Sequence, residues 1–476
     1  MTTFGIDFGT TNSTAVKLIE HGHPEKYGDD AGGPFPSIVA IDRATGEALA
    51  GRQVWENRER YSDGGNHIVV QSVKSLLAKD EVWTTEEGPW APVDVASFVL
   101  KQLSERAEKL GLEPIRKAAI TIPVDFSPRS RQVLRAAAEA AGIEVSNFIT
   151  ESTAAFVRYL PQLGHCRYVA VFDWGGGTLD VSLLEIRSRT ISELSTEVME
   201  IAGDEIDKDL AAAIHRRVME SRGRSAPMES MSAPDRDNLR TKCERAKCQL
   251  SALDQFDVLL TSYDGAPLQY TVRRDWFESL ISPHVDLATE VLIKAIEKAH
   301  LSYDAIDRVL VIGGSSKLRL LRERLRNDPR FSATLQFSSD AEWDVATGAA
   351  ILEQAPGNYE TAESIGVVLS DNSFYEIVKG GERIDDATRH LRVSLVEDAR
   401  QANIILAKRA STTKNGAVEP FLSFGVDTLG FDLEPLELSY GINRDLVFRV
   451  RAESGARGRS SAVQNEYSKL RFTYHL

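Results

Sequence analysis

Two short glycine-containing stretches carry the residue types that bind phosphate together with a divalent cation. The first is Asp7-Phe8-Gly9-Thr10-Thr11-Asn12-Ser13. Gly9 allows the main chain to approach a ligand closely, and the N–H groups and hydroxyls of Thr10 and Thr11 can form a nest for phosphate oxygens. The carboxylate of Asp7 would repel those oxygens unless a divalent cation lies between them. This stretch therefore indicates a nucleotide bound together with Mg2+.

The second stretch, Asp173-Trp174-Gly175-Gly176-Gly177-Thr178-Leu179-Asp180, repeats the plan of an aspartate, an aromatic residue, a glycine-containing turn and a threonine. A single Asp-x-Gly is a common turn and carries little information. Two turns of one design in one chain indicate two lobes that each offer a phosphate-binding loop.

Buried strands must deliver these turns. The alternation in Phe4–Phe8 predicts a strand that enters a tight turn, and the apolar run Val169–Phe172 predicts a strand before the second turn. A third apolar run, Val309–Ile312, leads into Gly313-Gly314 and then a basic helix. A strand, a glycine pair and a helix N-terminus form a corner that suits an anion or a base.

The composition describes a globular chain with an acidic balance. Its 476 residues predict two or three domains. The net charge of -14 argues against general binding to nucleic acid or to an anionic membrane. The three cysteines match neither a disulfide framework nor a zinc site, and we find no pattern of a signal peptide or a membrane helix. These features predict a cytoplasmic protein.

The two stretches resemble the phosphate motifs of the 70-kDa heat-shock (DnaK-like) chaperones, which belong to the actin and sugar-kinase ATPase superfamily. Later segments resemble further motifs of that family in the same order: Thr150–Ala155, Ala202–Asp207, Glu244–Ser251, Gly313–Leu318 and Trp343–Ala350. The resemblance covers residues 3–355. Lys317 stands where the family has an arginine that covers adenine, and lysine stacks less well, so nucleotide affinity is expected to be lower.

The resemblance implies an ATPase that uses ATP or ADP with Mg2+, and K+ as a further ion near Asp7 and Asp180. It implies catalytic roles for Lys74, Glu151, Asp173 and Thr178. It implies that Mg2+ is held through water by Asp7, Glu151 and Asp173, with Asp180 as a fourth carboxylate at the metal site. The nucleotide contacts that it implies are Gly9, Thr10, Thr11, Asn12, Gly175, Gly176, Gly177, Thr178, Gly203, Asp204, Glu244, Lys247, Ser251, Gly313, Gly314, Ser315, Lys317 and Glu342, the last with Asp344 as an alternative.

The implied fold is α/β: a two-lobed actin-like ATPase domain with RNase H-like lobes over residues 1–355, a linker at 356–363, and a small β-sandwich at 364–476. The linker is polar and lacks the leucine run of the chaperones, which puts the usual coupling between the domains in question. Pro123 and Arg131 resemble the proline switch and its arginine, although a strand end and a surface arginine are an equal alternative.

The C-terminal third alternates with period two, as expected of short strands in a sandwich. Leu391, Val393, Ile404 and Leu406 could line a cleft for extended apolar peptide or form the sandwich core, and core is the interpretation we favour. The family's helical lid is not expected here, so a bound peptide should leave quickly. The implied partners are unfolded or extended polypeptide, a J-domain co-chaperone and an exchange factor.

The leading hypothesis is therefore Mg2+-dependent ATP binding and slow hydrolysis by a short chaperone of this family without a lid. The main alternative is a nucleotide-gated module that binds a dedicated protein partner with little hydrolysis. A small-metabolite kinase and an actin-like filament protein share the lobes, but Glu244–Ser251 and the C-terminal strands favour the chaperone branch.

Overall fold

The structure is a computed structural model that describes residues 4–19, 22–62, 65–109, 112–354, 357–396, 398–410 and 418–476. Contacts divide the chain into two compact units. The first contains the described parts of Met1–Pro123, Val133–Leu183 and Ser195–Gln354, and the second contains those of Val124–Gln132, Leu184–Leu194 and Ala355–Leu476.

The strands follow one another in chain order. They are β1 (Phe4–Phe8), β2 (Asn12–Leu18), β3 (Pro24–Tyr27), β4 (Phe35–Pro36), β5 (Val39–Asp42), β6 (Ala48–Ala50), β7 (His67–Val70), β8 (Trp83–Thr85), β9 (Gly88–Trp90), β10 (Lys117–Ile122), β11 (Glu144–Thr150), β12 (Tyr168–Trp174), β13 (Leu179–Arg187), β14 (Thr190–Met199), β15 (Gln255–Tyr263), β16 (Ala266–Arg273), β17 (Arg308–Ile312), β18 (Leu335–Phe337), β19 (Asn358–Thr361), β20 (Glu363–Val368), β21 (Phe374–Val378), β22 (Arg389–Ser394), β23 (Gln401–Ala410), β24 (Glu419–Asp427), β25 (Pro435–Ile442), β26 (Phe448–Ser454), β27 (Val463–Tyr467) and β28 (Phe472–His475).

Among the described residues, all α-helices begin before residue 345. They are α1 (Arg52–Glu56), α2 (Arg58–Tyr61), α3 (Val73–Leu76), α4 (Pro92–Lys109), α5 (Pro128–Ala140), α6 (Glu151–Arg158), α7 (Leu160–Leu163), α8 (Gly203–Ser221), α9 (Ala233–Leu250), α10 (Arg274–Lys298), α11 (Arg319–Asn327) and α12 (Asp344–Gln354). In the part of the chain that the structure describes, no helix combines the length and the apolar character needed to cross a membrane.

The first unit contains two lobes built on sheets of the same strand order. Five strands of the first lobe's sheet follow the order β11-β10-β1-β2-β3, and five strands of the second lobe's sheet follow the order β18-β17-β12-β13-β14. In each lobe the strand before the phosphate turn, β1 or β12, pairs in parallel with a later strand, β10 or β17. The two turns therefore occupy equivalent positions, between the third and fourth strands of matching sheets.

Small residues allow the helices to pack closely on the first lobe. A Cβ atom added to Gly5 of β1 would lie 2.2 Å from the carbonyl oxygen of Ala346 in α12, and one added to Gly348 of α12 would lie 1.7 Å from that of Ala154 in α6. Both distances are shorter than van der Waals contact. Glycine at these positions therefore lets α12 approach the strand that leads into the first turn.

The second unit contains two four-stranded sheets with orders β21-β20-β23-β24 and β22-β25-β26-β27. Apolar side chains of both sheets form its core. Ile404 and Leu406 are buried in this core, and Leu391 and Val393 pack against it half-buried. The interpretation as core is confirmed for Ile404 and Leu406, whereas Leu391 and Val393 are half-buried at the edge of that core.

Chain segments from before residue 200 complete the second unit. Strand β28 pairs with residues Thr190–Ser192 of β14 on one side and with β19 on the other. Strand β19 lies inside the predicted linker at 356–363, where no regular structure was expected. The division into domains at 355 and 364 stays a prediction, because the contact-based units include the earlier segments as well.

The guanidinium of Arg131 holds the segment 124–132 within the second unit. It is 1% exposed. Its Nε donates to the carbonyl of Phe126 at 2.9 Å, Nη1 donates to Asp445 and Leu446 at 2.9 and 3.1 Å, and Nη2 donates to Val124 and Ser468 at 3.0 and 3.3 Å. Burial lowers the pKa of Arg131 to about 10, so it remains charged at neutral pH. Arg131 is therefore a buried side chain, and the surface alternative is wrong.

One local expectation needs correction. The composition of residues 221–236, which are rich in serine, arginine, methionine and proline, predicts a loop. Helix α9 instead begins at Ala233, where the Ser232 hydroxyl accepts from the Asp235 N–H at 3.2 Å and a proline follows in the first turn. A serine N-cap followed by proline is a helix-start signal that the composition concealed.

Arg131→Met should destabilise the second unit by about 3–5 kcal/mol, because it leaves several buried carbonyls without a donor. Hydrogen exchange of the amides in residues 443–448 and 463–476, together with denaturant unfolding, would measure the loss. Arg129→Met changes an exposed arginine of the same helix and should alter stability by less than about 0.5 kcal/mol. Equal amide protection in the two variants would contradict this role for Arg131.

Candidate active site

A cavity of about 370 Å³ lies between the two lobes of the first unit. It brings together nearly all of the residues predicted for the site. Those that line it are Asp7, Gly9, Thr10, Thr11, Asn12, Lys74, Glu151, Asp173, Gly175, Gly176, Gly177, Thr178, Asp180, Asp204, Glu244, Lys247, Ser251, Gly313, Gly314, Ser315, Lys317 and Glu342. Gly203 lies behind this wall, where an added Cβ would be 3.0 Å from the Lys247 ammonium and from the Ser315 hydroxyl.

The two phosphate turns face each other at close range. A Cβ atom on Gly176 would lie 2.0 Å from Oγ1 of Thr11, and one on Gly177 would lie 2.9 Å from Cγ2 of Thr10. The Thr11 hydroxyl is buried and has no hydrogen-bond partner among the described residues. Two turns that almost touch, with a hydroxyl left for a ligand, suit phosphate oxygens held from both sides.

Hydrogen bonds from two neighbouring segments fix the second turn. The N–H groups of Gly203 and Asp204 donate to the carbonyls of Gly175 and Gly176 at 3.3 and 2.8 Å. The Ser315 hydroxyl donates to the Gly175 carbonyl at 2.7 Å. These bonds occupy the turn's carbonyl oxygens, which would otherwise repel a phosphate. Gly313 can approach Asp173 and Trp174 because its φ is 82° and it has no side chain.

Carboxylates surround a single ammonium at the floor of the cavity. Lys74 is 8% exposed, and its Nζ lies 2.5 Å from Oε1 of Glu151. Burial alone would lower the pKa of Lys74, but the charges of Glu151, Asp7 and Asp180 outweigh it and raise that pKa. The lysine is therefore fully protonated at neutral pH.

The remaining carboxylates carry more negative charge than one lysine can balance. Burial raises the pKa of Asp7 to about 6, helped by Glu151 and opposed by Lys74 and by the hydroxyl of Thr121, which donates to Oδ1 at 3.2 Å. Burial, with the charges of Glu151, Asp180 and Asp7, raises the pKa of Asp173 well above its ordinary value. Such a cluster gains stability when a cation or a proton neutralises it.

The donor set suits a hard cation held at a distance. All of its potential ligands are carboxylate oxygens, which Mg2+ and K+ prefer over nitrogen or sulfur. Within the described ranges, no group of three or more His, Cys, Asp or Glu side chains is placed to hold a metal ion directly. Mg2+ that keeps several waters and also binds phosphate would fit such a site.

The other end of the cavity is formed by α9 and by the glycine pair after β17. Glu244 accepts from Trp55 Nε1 at 3.2 Å and from Arg58 Nη2 at 2.9 Å, which fixes its carboxylate. Lys247 donates to Asp207 at 2.6 Å and to the carbonyl of Gly203 at 2.9 Å.

Lys317 and Glu342 close the same end. The Lys317 ammonium lies 2.7 Å from Oε1 of Glu342, and both side chains remain partly exposed. Asp344, the alternative to Glu342, is instead buried and accepts from the Tyr159 hydroxyl at 3.0 Å, away from the cavity lining. Of the two acidic residues proposed for this corner, only Glu342 lines the cavity.

Sequence reasoning missed several residues of the site. Cys248 lines the cavity, although the sequence predicted no role in the site for any of the three cysteines. Its position, four residues after Glu244 and three before Ser251, places it on the same helix face, and this spacing could have revealed it. Trp55 and Arg58 were missed because their partner Glu244 is almost two hundred residues away, and no local pattern predicts such a contact.

Comparison with known proteins gives a consistent result. The family model described as "Hsp70 protein" matches residues 3–468. Proteins named "Chaperone protein DnaK" from Thermotoga neapolitana and Thermotoga maritima are each 29% identical over 490 residues, which cover 96% of this chain and 79% of the relative. "Chaperone protein DnaK 3" from Synechococcus is 26% identical over 510 residues, which cover 97% of this chain and 75% of the relative.

The family match extends from the first phosphate turn to the last residues before β28. It confirms the predicted fold class, a two-lobed actin-like ATPase domain followed by a β-sandwich. It also confirms the predicted enzyme class, because chaperones of this family bind and hydrolyse ATP. The chain therefore belongs to the Hsp70 family.

Proposed function

We propose that this Hsp70-family chaperone binds ATP with Mg2+ in the cavity between the lobes and hydrolyses it slowly, with Lys74 acting at the terminal phosphate. The observation that carries the proposal is the buried pair of Lys74 and Glu151, 2.5 Å apart, in a cluster with three aspartates beside two glycine turns. An ammonium in this position can stabilise the negative charge that develops on the transferred phosphoryl group.

The other residues would divide between binding and positioning. Gly9, Thr10, Thr11 and Asn12 would hold phosphate oxygens from the first lobe, and Gly175–Thr178 would hold them from the second. Mg2+, bound through water to Asp7, Glu151 and Asp173 with Asp180 nearby, would neutralise the phosphates, and K+ could occupy the same acidic floor. Asp173, Thr178 or Asp180 would orient the attacking water. Catalysis of this kind depends mainly on position and charge.

The nucleoside would occupy the end lined by α9. Glu244, Lys247 and Ser251 would contact ribose and base from one helix face, while Gly313, Gly314 and Ser315 would form the floor. Lys317 and Glu342 form an ion pair at the rim that would have to lie over or beside the base. Gly203 would act from behind the second phosphate turn, and Asp204 from the cavity wall beside it.

We further propose that the second unit binds unfolded or extended polypeptide through two adjacent loops, one that follows β22 and one that joins β24 to β25. Four large apolar side chains are exposed there: Val396 by 67%, Leu429 by 54%, Phe431 by 45% and Leu433 by 67%. Exposed apolar side chains concentrated in one region are typical of protein-binding surfaces.

Hydrogen bonds hold the two loops together. The Thr428 N–H donates to the Arg400 carbonyl at 3.0 Å, and the Leu395 N–H donates to that of Glu434 at 3.0 Å. The buried carboxylate of Glu434 accepts from the N–H groups of Leu429 and Gly430. The apolar side chains are therefore displayed on a fixed scaffold.

A dedicated protein partner, bound in a nucleotide-dependent way with little hydrolysis, is the second candidate. It is favoured by the polar sequence at 360–363, which departs from the apolar linker of the family. A J-domain co-chaperone or an exchange factor would be further partners.

The three cysteines are free thiols, which agrees with a reducing compartment such as the cytoplasm.

ATP turnover of the full chain with Mg2+ and K+ tests the main proposal. Lys74→Ala should retain ATP binding and lose most hydrolysis in a single-turnover assay, because the charge at the terminal phosphate is gone. Lys74→Ala also leaves Glu151 without its ammonium partner, so ATP binding measured in the same variant separates loss of the lysine from disruption of the site. Lys79→Ala removes an exposed lysine nearby and is the matched control. Unchanged single-turnover hydrolysis in Lys74→Ala would reject the assigned role.

Asp7→Asn should stabilise the nucleotide-free protein more at pH 7.5 than at pH 5. The pKa of Asp7 is raised to about 6, so its stabilising contribution is complete below pH ~4 and is lost as pH rises through 6. A rise of the Asp7 pKa from 3.8 to about 6 corresponds to roughly 3 kcal/mol of folding stability at most. Thermal unfolding in EDTA at both pH values measures the effect.

Exposed Asp304→Asn is the control for this pH dependence and should show no such trend. With ATP and Mg2+ the wild-type protein should instead be the more stable of the two, because it gains stabilisation from the ligand that Asp7→Asn cannot gain. An equal increase in stability of Asp7→Asn at both pH values would contradict the raised pKa of Asp7.

Phe431→Ser combined with Leu433→Ser should weaken the binding of a fluorescent unfolded peptide by at least about tenfold, because it removes two exposed apolar anchors. Anisotropy titration of the full chain, with and without ATP, measures it. Val82→Ser removes an equally exposed apolar residue of the first unit and should have no effect. No detectable binding of any peptide by the wild-type protein would favour the dedicated-partner alternative.

A further inference from the structure

A hydrogen bond crosses the cleft between the two lobes close to the lysine. The hydroxyl of Ser72, which follows β7 in the first lobe, donates to Oδ2 of Asp204 at 3.1 Å. Asp204 is in the first turn of α8, in the second lobe. Neither the phosphate turns nor the residues at the nucleoside end include Ser72, so the reaction described above gives it no role.

Ser72 sets the geometry of the turn that carries Lys74. It is the residue before α3, with φ 54° and ψ 37°, in the left-handed region that serine rarely adopts. Its carbonyl accepts from the Ser75 N–H at 2.9 Å, which closes the turn around Lys74. Backbone strain at a non-glycine residue persists only where the surroundings enforce it, and it is frequent at functional sites.

Asp204 is tied at its other side to the second phosphate turn. Its N–H donates to the Gly176 carbonyl at 2.8 Å. Its Oδ1 would lie 3.1 Å from a Cβ atom on Gly176, so the carboxylate packs directly against that glycine. One carboxylate thus contacts both the turn that would hold phosphate and the turn that delivers the lysine.

We propose that Ser72 and Asp204 are positioning residues for ATP hydrolysis: their contact forms when the lobes close and sets Lys74 against the phosphate held by Gly176. The inference rests on the proposed role of Lys74 at the terminal phosphate. Neither residue touches the reacting atoms. The contact instead makes the placement of the ammonium depend on the position of the second lobe, so that the lysine is in register only in the closed cleft.

Four variants of the full chain distinguish the effect of the Ser72 hydroxyl from the effect of its left-handed backbone conformation. Ser72→Gly accepts the left-handed conformation without strain and lacks the donor. Ser72→Asn also tolerates that conformation and restores a donor. Asp204→Ala removes the acceptor. Ser188→Gly is the matched control, because Ser188 has φ 52°, is exposed and lies in the turn between β13 and β14.

Turnover and nucleotide release are the two measurements. Ser72→Gly should lower kcat about tenfold, the effect expected for one hydrogen bond to a charged group, with little change in the KM for ATP. It should also speed the release of a fluorescent ADP, because a contact between the lobes is lost. Ser72→Asn should recover most of kcat, and Ser188→Gly should change neither quantity. The double variant Ser72→Gly with Asp204→Ala should be no slower than the slower single variant.

Lys74→Ala in the same assay distinguishes failure of the positioning role from failure of the proposed function. If Lys74→Ala loses hydrolysis while Ser72→Gly keeps the wild-type kcat, the positioning role is overturned and the proposed function stands. If Lys74→Ala retains hydrolysis, both are overturned. Effects of Ser72→Gly and Asp204→Ala that multiply in the double variant would show that the residues act separately, which also contradicts the inference.

Discussion

The first unit depends on a concentration of negative charge around one ammonium. Asp7, Glu151, Asp173 and Asp180 come from both lobes and share Lys74 as the cation that lines the same floor. Burial of like charges is unfavourable unless something neutralises them. These buried charges are therefore electrostatically costly unless a cation accompanies them, and a ligand that brings a cation removes the cost. Under the function proposed above, the same charges would favour a nucleotide that arrives with a metal ion.

The other features of the cleft bring the two lobes together around these charged residues. The lobes share one strand order, so their phosphate turns occupy equivalent edges and meet. Contact at this distance is possible only because Gly176 and Gly177 lack side chains. Further from the phosphates, the bonds from Trp55 and Arg58 to Glu244 join a helix pair of the first lobe to α9 of the second. Contacts between the lobes are thus distributed along the whole cleft.

The sequence was sufficient for the parts of the site that are local in the chain. Both phosphate turns could be recognised because an aspartate, glycines and a threonine follow a buried strand within eight residues. The face of α9 that carries Glu244, Lys247 and Ser251 follows from helical spacing, and alternation of apolar residues predicted the sandwich strands and its core. These signals are short-range, so one sequence contains them completely.

Contacts between distant segments could not be predicted in this way. The bond between Ser72 and Asp204, and the bonds between Arg131 and the carbonyls near residue 445, depend on how remote elements pack. The left-handed conformation of Ser72 has no signature either, because nothing in a serine indicates it. Strand β19 lies in the segment predicted to be a linker, and its pairing with the distant strand β28 could not be predicted from its local sequence.

The pairing of β28 with β14 has a consequence for synthesis of the protein. Thr190 and His475 are neighbours in the fold but are made about 285 residues apart. At ribosomal rates of roughly 5–20 residues per second, residues 190–192 must wait tens of seconds for their partner strand. During that interval a sheet edge is exposed to other chains. A protein of the chaperone class would thus itself pass through a state in which it needs protection.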